Sequence, residues 1–178
     1  YAASFHGKKL LALGGNSGNP IFDWFIGREL NPRIGEFDIK TFNELRPGLI
    51  LWALLDISCV CHQYTKFGWV SDSIVLVTLF HIWYIVDSLI NESTILTQMD
   101  ITTDGFGFML SVGDLAWLPF TYCLQARFLA FHPIHLGWLG VLAILAVQFT
   151  GYYIFRVANL EKNEFRHGRN PKGTYTVR

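Results

Sequence analysis

The sequence has little charge and lacks the motifs of most soluble enzymes. Charged residues make up 16% of its 178 residues, and the formal net charge is zero. Without an excess of basic residues, nothing favours binding to nucleic acid through bulk charge, so we expect no nucleic-acid partner. Zinc-ligand spacings, phosphate-binding loops and nucleophile elbows are all missing from the sequence. We therefore expect neither a metal site nor the common forms of hydrolytic catalysis.

Cysteine is scarce as well. The three cysteines are Cys59, Cys61 and Cys123, and none of them forms a C-x-x-C pair. This spacing implies no disulfide framework. We expect all three to be small buried side chains, which is the usual environment of a free cysteine.

Apolar sequence is abundant. Hydrophobic residues account for 51% of the chain and aromatic residues for 16%. Four apolar stretches cover residues 47–64, 73–90, 106–131 and 134–157, and a membrane-spanning helix needs about 20 residues. The sequence therefore predicts an all-α, polytopic transmembrane bundle with four spans within residues 47–158. Residues 1–46 are predicted as a cytosolic or interfacial loop segment, and residues 159–178 as a cytosolic basic tail.

The positions of Lys and Arg predict the orientation of these spans. Lys66 is the only basic residue in a connection between spans, whereas basic residues cluster before the first span and after the fourth. The two clusters are Lys8, Lys9, Arg28, Arg33, Lys40 and Arg46, and then Lys162, Arg166, Arg169, Lys172 and Arg178. By the positive-inside rule, both ends are cytosolic. The sequon at Asn91 is then cytosolic too, and we expect it to carry no glycan.

Residues 99–125 combine polar and apolar character. The stretch begins with acidic and hydroxyl side chains, then becomes apolar while retaining Asp114, Pro119 and Gln125. A carboxylate at membrane depth is costly, so Asp114 should face protein or a cavity. Pro119 should kink the helix. The pattern predicts the wall of a site buried in the membrane, although a polar packing helix is the alternative interpretation.

Tyr84 and Asp87 are three residues apart in the second span and share a helix face. A carboxylate can orient a phenol that acts as a proton donor, so this pair is a candidate catalytic site. His81 can join the same face, although a lone histidine in a helix is more often a packing group. Asp87 also lies near the end of its span and can simply reach the membrane interface.

A second candidate site follows the fourth span. Lys162 and Arg166 are four residues apart, with Asn159 and Asn163 beside them. Two cations on one helix face at the cytosolic rim suit a phosphate or pyrophosphate. The alternative is that they only set the topology and contact lipid headgroups.

Three long segments resemble the sterol reductase family, which includes Δ14- and Δ7-sterol reductases and the sterol-reductase domain of the lamin B receptor. They read GNSGNPIFDWFIGRELNPRIGEFDIKTFNELRPG, MDITTDGFGFMLSVGDLAWLPFTYCLQAR and GYYIFRVANLEKNEFR. The resemblance covers residues 14–172 and is strongest to fungal Δ14-sterol reductases. It implies a fold of about ten spans, of which these are middle ones.

The resemblance also implies a function. The family reduces a ring double bond of a sterol precursor with NADPH in the endoplasmic reticulum membrane, so a sterol and membrane lipid are the expected partners. Its KNEFR motif places Lys162, Asn163 and Arg166 at the NADPH phosphates. Tyr84 corresponds to a tyrosine of the sterol pocket, and we expect Tyr84 and Asp87 to be catalytic. Asp114, Tyr122 and Gln125 are expected to line the substrate pocket.

Two alternatives to a Δ14-sterol reductase in ergosterol synthesis stay open at this point. One is a Δ7-sterol reductase, and the other is a non-catalytic sterol-binding membrane protein. We also expect the chain to be a piece of a longer protein, because the family's C-terminal motifs are missing and GTYTVR does not resemble its continuation.

Overall fold

The computed structural model describes residues 9–169, and these are mostly helical. A short antiparallel hairpin pairs β1 (Arg33–Ile34) with β2 (Phe37–Asp38). The helices are α1 (Pro20–Ile26), α2 (Ile39–Leu45), α3 (Pro47–Phe67), α4 (Asp72–Ile90), α5 (Glu92–Ile95), α6 (Met99–Thr102), α7 (Phe108–Val112), α8 (Leu118–Tyr122), α9 (Leu124–Phe131) and α10 (Gly137–Arg166). A π-helical turn, Gly113–Trp117, separates α7 from α8.

Within residues 9–169, three helices are long and apolar enough to cross a membrane. They are Ile39–Phe67, which joins α2 to α3, then Asp72–Ile90 and Gly137–Arg166. This confirms the predicted all-α membrane architecture. The last helix starts three residues later than predicted at residue 134 and continues nine residues beyond residue 157. Residues 159–166 of the predicted tail therefore continue this helix. Residues 170–178 of the tail lie outside the described range.

The third predicted span, residues 106–131, differs from the prediction because it is not one uninterrupted helix. Residues 108–131 form what we call the broken helix: α7, the π-helical turn, α8 and α9. Pro119 has no backbone N–H and cannot donate to the preceding turn, which explains why regular α geometry fails there. Where the sequence predicts a kink, the structure has a π-helical turn just before the proline.

The broken helix nevertheless follows α3 over most of its length. At one end, Gly48 lies against the backbone of Asp114. At the other end, the Gln63 side-chain amide donates to the Leu129 carbonyl over 2.7 Å. Fifteen residues separate the two contact points on each helix, which corresponds to roughly 22 Å of α-helix. The broken helix therefore runs parallel to α3 and lies alongside it over this length.

Gly48 is required for this close approach. A Cβ at residue 48 would lie 1.8 Å from the Asp114 carbonyl oxygen and 3.7 Å from the Pro119 ring. Because the first contact is with backbone, no side-chain rotation can relieve it. Glycine at the start of α3 therefore allows the π-helical turn to rest directly on α3.

Two apolar clusters hold α3, α4 and the broken helix together. One contains Leu49, Trp52, Ile85 and Cys123, and the other contains Ile74, Leu129 and Ala130. The first is near the start of α3 and the end of α4, so these two helices are antiparallel. Of the cysteines, Cys123 is buried as expected, Cys59 is only half-buried, and Cys61 is exposed. That expectation was wrong for Cys61 because it lies on a face of α3 that the described helices leave uncovered.

Polar contacts attach the helix α10 to α4 at two points. At its start, the Asp72 carboxylate accepts hydrogen bonds from the Leu136 and Gly137 backbone N–H groups at 3.0 Å. Farther along, Arg156 and Tyr152 both contact Asp87 of α4. Since the two contact points follow the same order in both helices, α10 runs parallel to α4. Among the residues that the structure describes, no residue of α10 is buried.

The segment before α3 is folded rather than a simple loop. Ser17 donates from its backbone N–H and its hydroxyl to Asp23 Oδ1, at 2.8 and 2.7 Å. These hydrogen bonds hold the pKa of the Asp23 carboxyl below its ordinary value. Gly27 has a positive φ of 99° and touches the backbone of residues 105–107, where a Cβ would fall 2.3 Å from the Gly107 nitrogen. The first segment therefore packs tightly on the loop before the broken helix.

Lys40 anchors the same loop from α2. Its side chain is fully buried, and Nζ donates to the carbonyl oxygens of Ile101 at 3.1 Å and Asp104 at 2.5 Å. In the sequence, Lys40 counts as one of the charges that set the topology. The structure instead shows it as an internal cap for the carbonyls of α6 and the turn after it.

Candidate functional site

A polar cavity of about 220 Å³ lies where α2, α4, α10 and the π-helical turn meet. Its wall carries more acidic than basic side chains. The ionisable residues that line it are Glu44, Tyr84, Asp87, Asp100, Asp114 and Arg156. The cavity therefore gathers carboxylates from four different elements around a single guanidinium group.

A second cavity, of about 330 Å³, lies between α4 and α10. Its wall is mainly aromatic and aliphatic, with Phe80, Trp83 and Val147 among the lining residues. Three residues line both cavities, namely Tyr84, Asp87 and Phe155. The predicted catalytic pair thus lies at the junction between a polar and an apolar space.

Asp87 is the centre of a hydrogen-bond network at this junction. Its Oδ1 accepts from the Tyr152 hydroxyl at 2.8 Å and from the Asn91 side-chain amide at 3.0 Å. Its Oδ2 accepts from Arg156 Nη1 at 2.9 Å. Among the described residues, the phenol whose hydroxyl donates to Asp87 is Tyr152. The carboxylate is therefore fixed by α10, whereas the sequence pattern suggested that it orients Tyr84.

Tyr84 stands beside this network without a hydrogen bond to Asp87 in the described structure, and 47% of its surface is exposed to the cavities and outside. Its ring centroid lies 5.9 Å from that of Trp52 and 6.4 Å from that of Phe155. Tyr122 contacts the same tryptophan, at 5.0 Å. Trp52 is buried, so it fixes the position of both tyrosines from within the α3–α4 interface.

The three predicted substrate-binding residues have different positions. Asp114 lines the polar cavity, as its sequence context predicts, and its Oδ2 is buried without a hydrogen-bond partner among the described residues. Tyr122 contacts Trp52 next to Tyr84 but lines neither cavity described here. Gln125 is exposed on α9, away from both cavities. Only Asp114 therefore shares a cavity wall with Tyr84 and Asp87.

The predicted phosphate-binding residues lie on the extension of α10. At 100° per residue, Arg156, Asn159, Lys162, Asn163 and Arg166 fall within an arc of about 120° on one face. Arg156 and Asn159 line the polar cavity, and Arg166 follows roughly 15 Å farther along the helix. A single polar face of α10 thus connects the cavity with the basic residues of the KNEFR motif.

His81 and Asp56 form a separate pair near the site. His81 Nδ1 is 2.6 Å from Asp56 Oδ2, and the Asp56 side chain is fully buried. Neither residue lines the two cavities described above. The His81 ring lies 4.6 Å from that of Trp52, so the pair supports the tryptophan behind Tyr84. This agrees with the view of His81 as a hydrogen-bonded packing group.

Three residues of the site were not predicted from the sequence, although two of them carry a signal in it. Arg156 lies within an apolar run, and an ionisable residue at such a position marks a functional site by default. Tyr152 is on the same face, one turn earlier. Glu44 carried no such signal, because its place in the cavity depends on how α2 packs against the π-helical turn.

The chain is similar to known proteins over nearly its whole length. A sequence profile for the ergosterol biosynthesis ERG4/ERG24 family matches residues 1–177, which includes residues beyond 172, where the resemblance was expected to end. The Delta(14)-sterol reductase of Schizosaccharomyces pombe is 66% identical over 171 residues, or 96% of this chain and 40% of that protein.

Two further relatives have the same description. The Delta(14)-sterol reductase of Saccharomyces cerevisiae is 57% identical over 96% of this chain and 40% of its own length. That of Ascobolus immersus is 60% identical over 88% of this chain and 37% of its own length. The chain thus spans about two fifths of the relatives it matches. With its membrane-spanning helices and this match, the chain belongs to the ergosterol biosynthesis ERG4/ERG24 family.

Proposed function

We propose that this chain forms the central part of an NADPH-dependent Δ14-sterol reductase of the endoplasmic reticulum membrane, acting in ergosterol biosynthesis. The relatives named above are Delta(14)-sterol reductases, which favours the Δ14 bond over the Δ7 bond. The observation that carries the proposal is the junction at Tyr84 and Asp87. There an apolar cavity suited to a sterol adjoins a polar cavity suited to a nicotinamide cofactor.

The residues of α10 fit such a cofactor. Lys162 and Arg166 supply the positive charge that a phosphate requires. Asn163 Oδ1 is buried without a hydrogen-bond partner among the described residues, and a hydroxyl or amide of a ligand would satisfy it. When bound, NADPH supplies the hydride for the reduction.

The residues of this chain then have three tasks. Tyr84 donates a proton to one carbon of the C14=C15 double bond, because its phenol borders both cavities and is not held by Asp87. The Asp87 carboxylate stabilises the cation that develops on the other carbon, although Arg156 offsets part of its charge. The apolar walls, with Phe80, Trp83 and Phe155, exclude water from that cation.

A chimera tests this proposal. In it, residues of this chain replace the matching segment of the Schizosaccharomyces pombe relative, and it is expressed in yeast that lacks its own Δ14-sterol reductase. We expect the chimera to restore ergosterol, measured by sterol profiling. Accumulation of Δ14 sterols alongside normal sterol binding would instead favour the non-catalytic alternative, and loss of a Δ7 bond would favour the Δ7 alternative.

A chimera that carries Tyr84→Phe tests whether Tyr84 is the proton donor. Loss of a general acid lowers turnover by about 10²–10⁴-fold, and we expect this in a microsomal assay of sterol reduction while sterol binding persists. Tyr153→Phe is the matched control, because Tyr153 is exposed on α10 and lines neither cavity. Full turnover in Tyr84→Phe would show that the proton comes from another group.

A further inference from the structure

Only one of the two terminal nitrogens of Arg156 has a hydrogen-bond partner among the described residues. The side chain is 16% exposed, and Nη1 donates to Asp87 Oδ2 at 2.9 Å. Its Nη2 is buried and has no hydrogen-bond partner among the described residues. A buried donor of a charged group is costly to leave unpaired. Arg156 also lines the polar cavity, and an acceptor presented by a ligand there would pair this nitrogen.

Two carboxyl groups of the cavity wall each have an unpaired oxygen, which is the acceptor counterpart of the unpaired donor of Arg156. Glu44 Oε2 and Asp114 Oδ2 are both buried and have no hydrogen-bond partner in the described part of the chain. Both residues line the same cavity as Arg156. The cavity therefore offers one unpaired donor and at least two unpaired acceptors. Its ligand must present an acceptor and donors within a small volume.

The charges of the wall limit the ligand further. Glu44, Asp87, Asp100 and Asp114 all line the cavity, so an anionic group would meet several carboxylates. The guanidinium of Arg156 opposes a small cation in the same space. A neutral group is favoured, and a primary carboxamide has one carbonyl acceptor and two N–H donors.

The position on α10 agrees with this chemistry. Arg156 is on the same helix face as Asn163 and Arg166, roughly 15 Å from the latter. A dinucleotide with its phosphates at the basic residues extends along this face toward the cavity. We propose that Arg156 Nη2 binds the carboxamide oxygen of the nicotinamide ring, and that Glu44 and Asp114 accept from its amide nitrogen. This inference rests on the proposed function.

Equilibrium binding to the purified chimera in detergent micelles, measured by calorimetry, tests this assignment. The two probes are NADP⁺ and 2′-phospho-ADP-ribose, which has the same phosphates but no nicotinamide. The variant is Arg156→Lys, because lysine keeps the cation beside Asp87 while it removes the second NH₂ group. We expect the Kd for NADP⁺ to rise about fivefold to tenfold. The Kd for 2′-phospho-ADP-ribose should change less than about twofold.

Arg46→Lys is the matched control. Arg46 also pairs with a carboxylate, through Nη2 to Glu92 at 3.0 Å, but it lines neither cavity. We expect it to change neither Kd. Equal weakening of both probes in Arg156→Lys would show that Arg156 only holds α10 in place, and no change in either would show that Nη2 takes no part. Either result overturns the assignment.

A second variant covers the carboxylates. The double variant Glu44→Gln/Asp114→Asn removes two negative charges, so it should bind the nicotinic acid analogue of NADP⁺ better relative to NADP⁺ itself. Unchanged discrimination between these two nucleotides would contradict the carboxylate contacts. If the unmodified chimera binds neither nucleotide, it is the proposed function that fails. If Arg156→Lys instead weakens the binding of a 3-hydroxysterol more than that of its 3-deoxy analogue, the cavity holds the sterol hydroxyl. The carboxamide assignment is then wrong.

Discussion

The helices α3 and α10 are both apolar enough to span a membrane, yet they are held in different ways. The start of α3 buries Leu49 and Trp52, and its far end buries Gln63. The helix α10 is longer, but none of its residues is buried in the described structure, and polar groups attach it at Asp72 and Asp87. Similar hydropathy therefore leads to a packed scaffold in one case and to a polar attachment in the other. The candidate site lies where α10 is attached to α4, at Asp87.

The largest expected effect concerns glycine in the two helices. Gly48→Ala in α3 places a Cβ against the Asp114 carbonyl, so the helices must separate. We expect a loss of about 3 kcal/mol or more in the free energy of unfolding. Gly151→Ala in α10 is the control, because nothing lies within 4 Å of its Cβ. Thermal unfolding of the chimera in detergent measures both, and equal effects would contradict the comparison.

Replacing a glutamine in each helix should have an effect of intermediate size on stability. Gln63→Leu leaves the Leu129 carbonyl and the Ser71 N–H buried without their partners, since Gln63 contacts them at 2.7 and 2.6 Å. We expect a loss of about 2 kcal/mol. Gln148→Leu in α10 changes the same side chain at a half-buried position and should cost less than about 0.5 kcal/mol. Denaturation monitored by tryptophan fluorescence compares the two. A destabilising Gln148→Leu would show that α10 is packed after all.

The smallest effect is expected at the first attachment of α10. Asp72→Ala removes the carboxylate that accepts from the Leu136 and Gly137 N–H groups. Loss of a cap of this kind costs about 1 kcal/mol. Faster hydrogen exchange should therefore be seen at these amides, with little change in α3. Mass spectrometry of the exchanged chimera measures it, and exchange that spreads through α3 would mean that the two helices are not independent.

Three of the four predicted spans are long helices in the described structure, because apolar length determines which segments can span a membrane. The third predicted span is the broken helix. A break in the helix near Pro119 was predictable because proline lacks a backbone N–H. The cost of a carboxylate at membrane depth predicted that Asp114 faces protein or a cavity. The π-helical turn itself was not predicted, and neither was its close approach to Gly48, because Gly48 and Asp114 are 66 residues apart in the sequence. The burial of α3 relative to α10 also could not be predicted, because both sequences are apolar and burial depends on which neighbours each helix meets.

The candidate site shows the same division. Spacing placed Tyr84 and Asp87 on one helix face, and the structure brings both to the cavity junction. Spacing could not show that Tyr152 and Arg156 take the hydrogen bonds of Asp87, because those contacts cross 65 and 69 residues of sequence. Gln125 had the right chemistry for a pocket, but its side chain is on the outer face of α9.

The π-helical turn at Gly113–Trp117 has a consequence for how this helix tolerates changes in length. Such a turn is equivalent to one extra residue in an α-helix. Deleting Ala116 would let regular α geometry return while the segments before and after the turn keep their rotation relative to one another, because the π-helical turn already absorbs the extra residue. Leu129 and Ala130 would keep their packing, and only the side chains within the turn would change direction. A further deletion in this helix would have no such turn to absorb it and would rotate the preceding segment by about 100° relative to α8 and α9. The π-helical turn therefore gives this helix one residue that can be lost without changing the phase between the half that forms the site and the half that holds the bundle together.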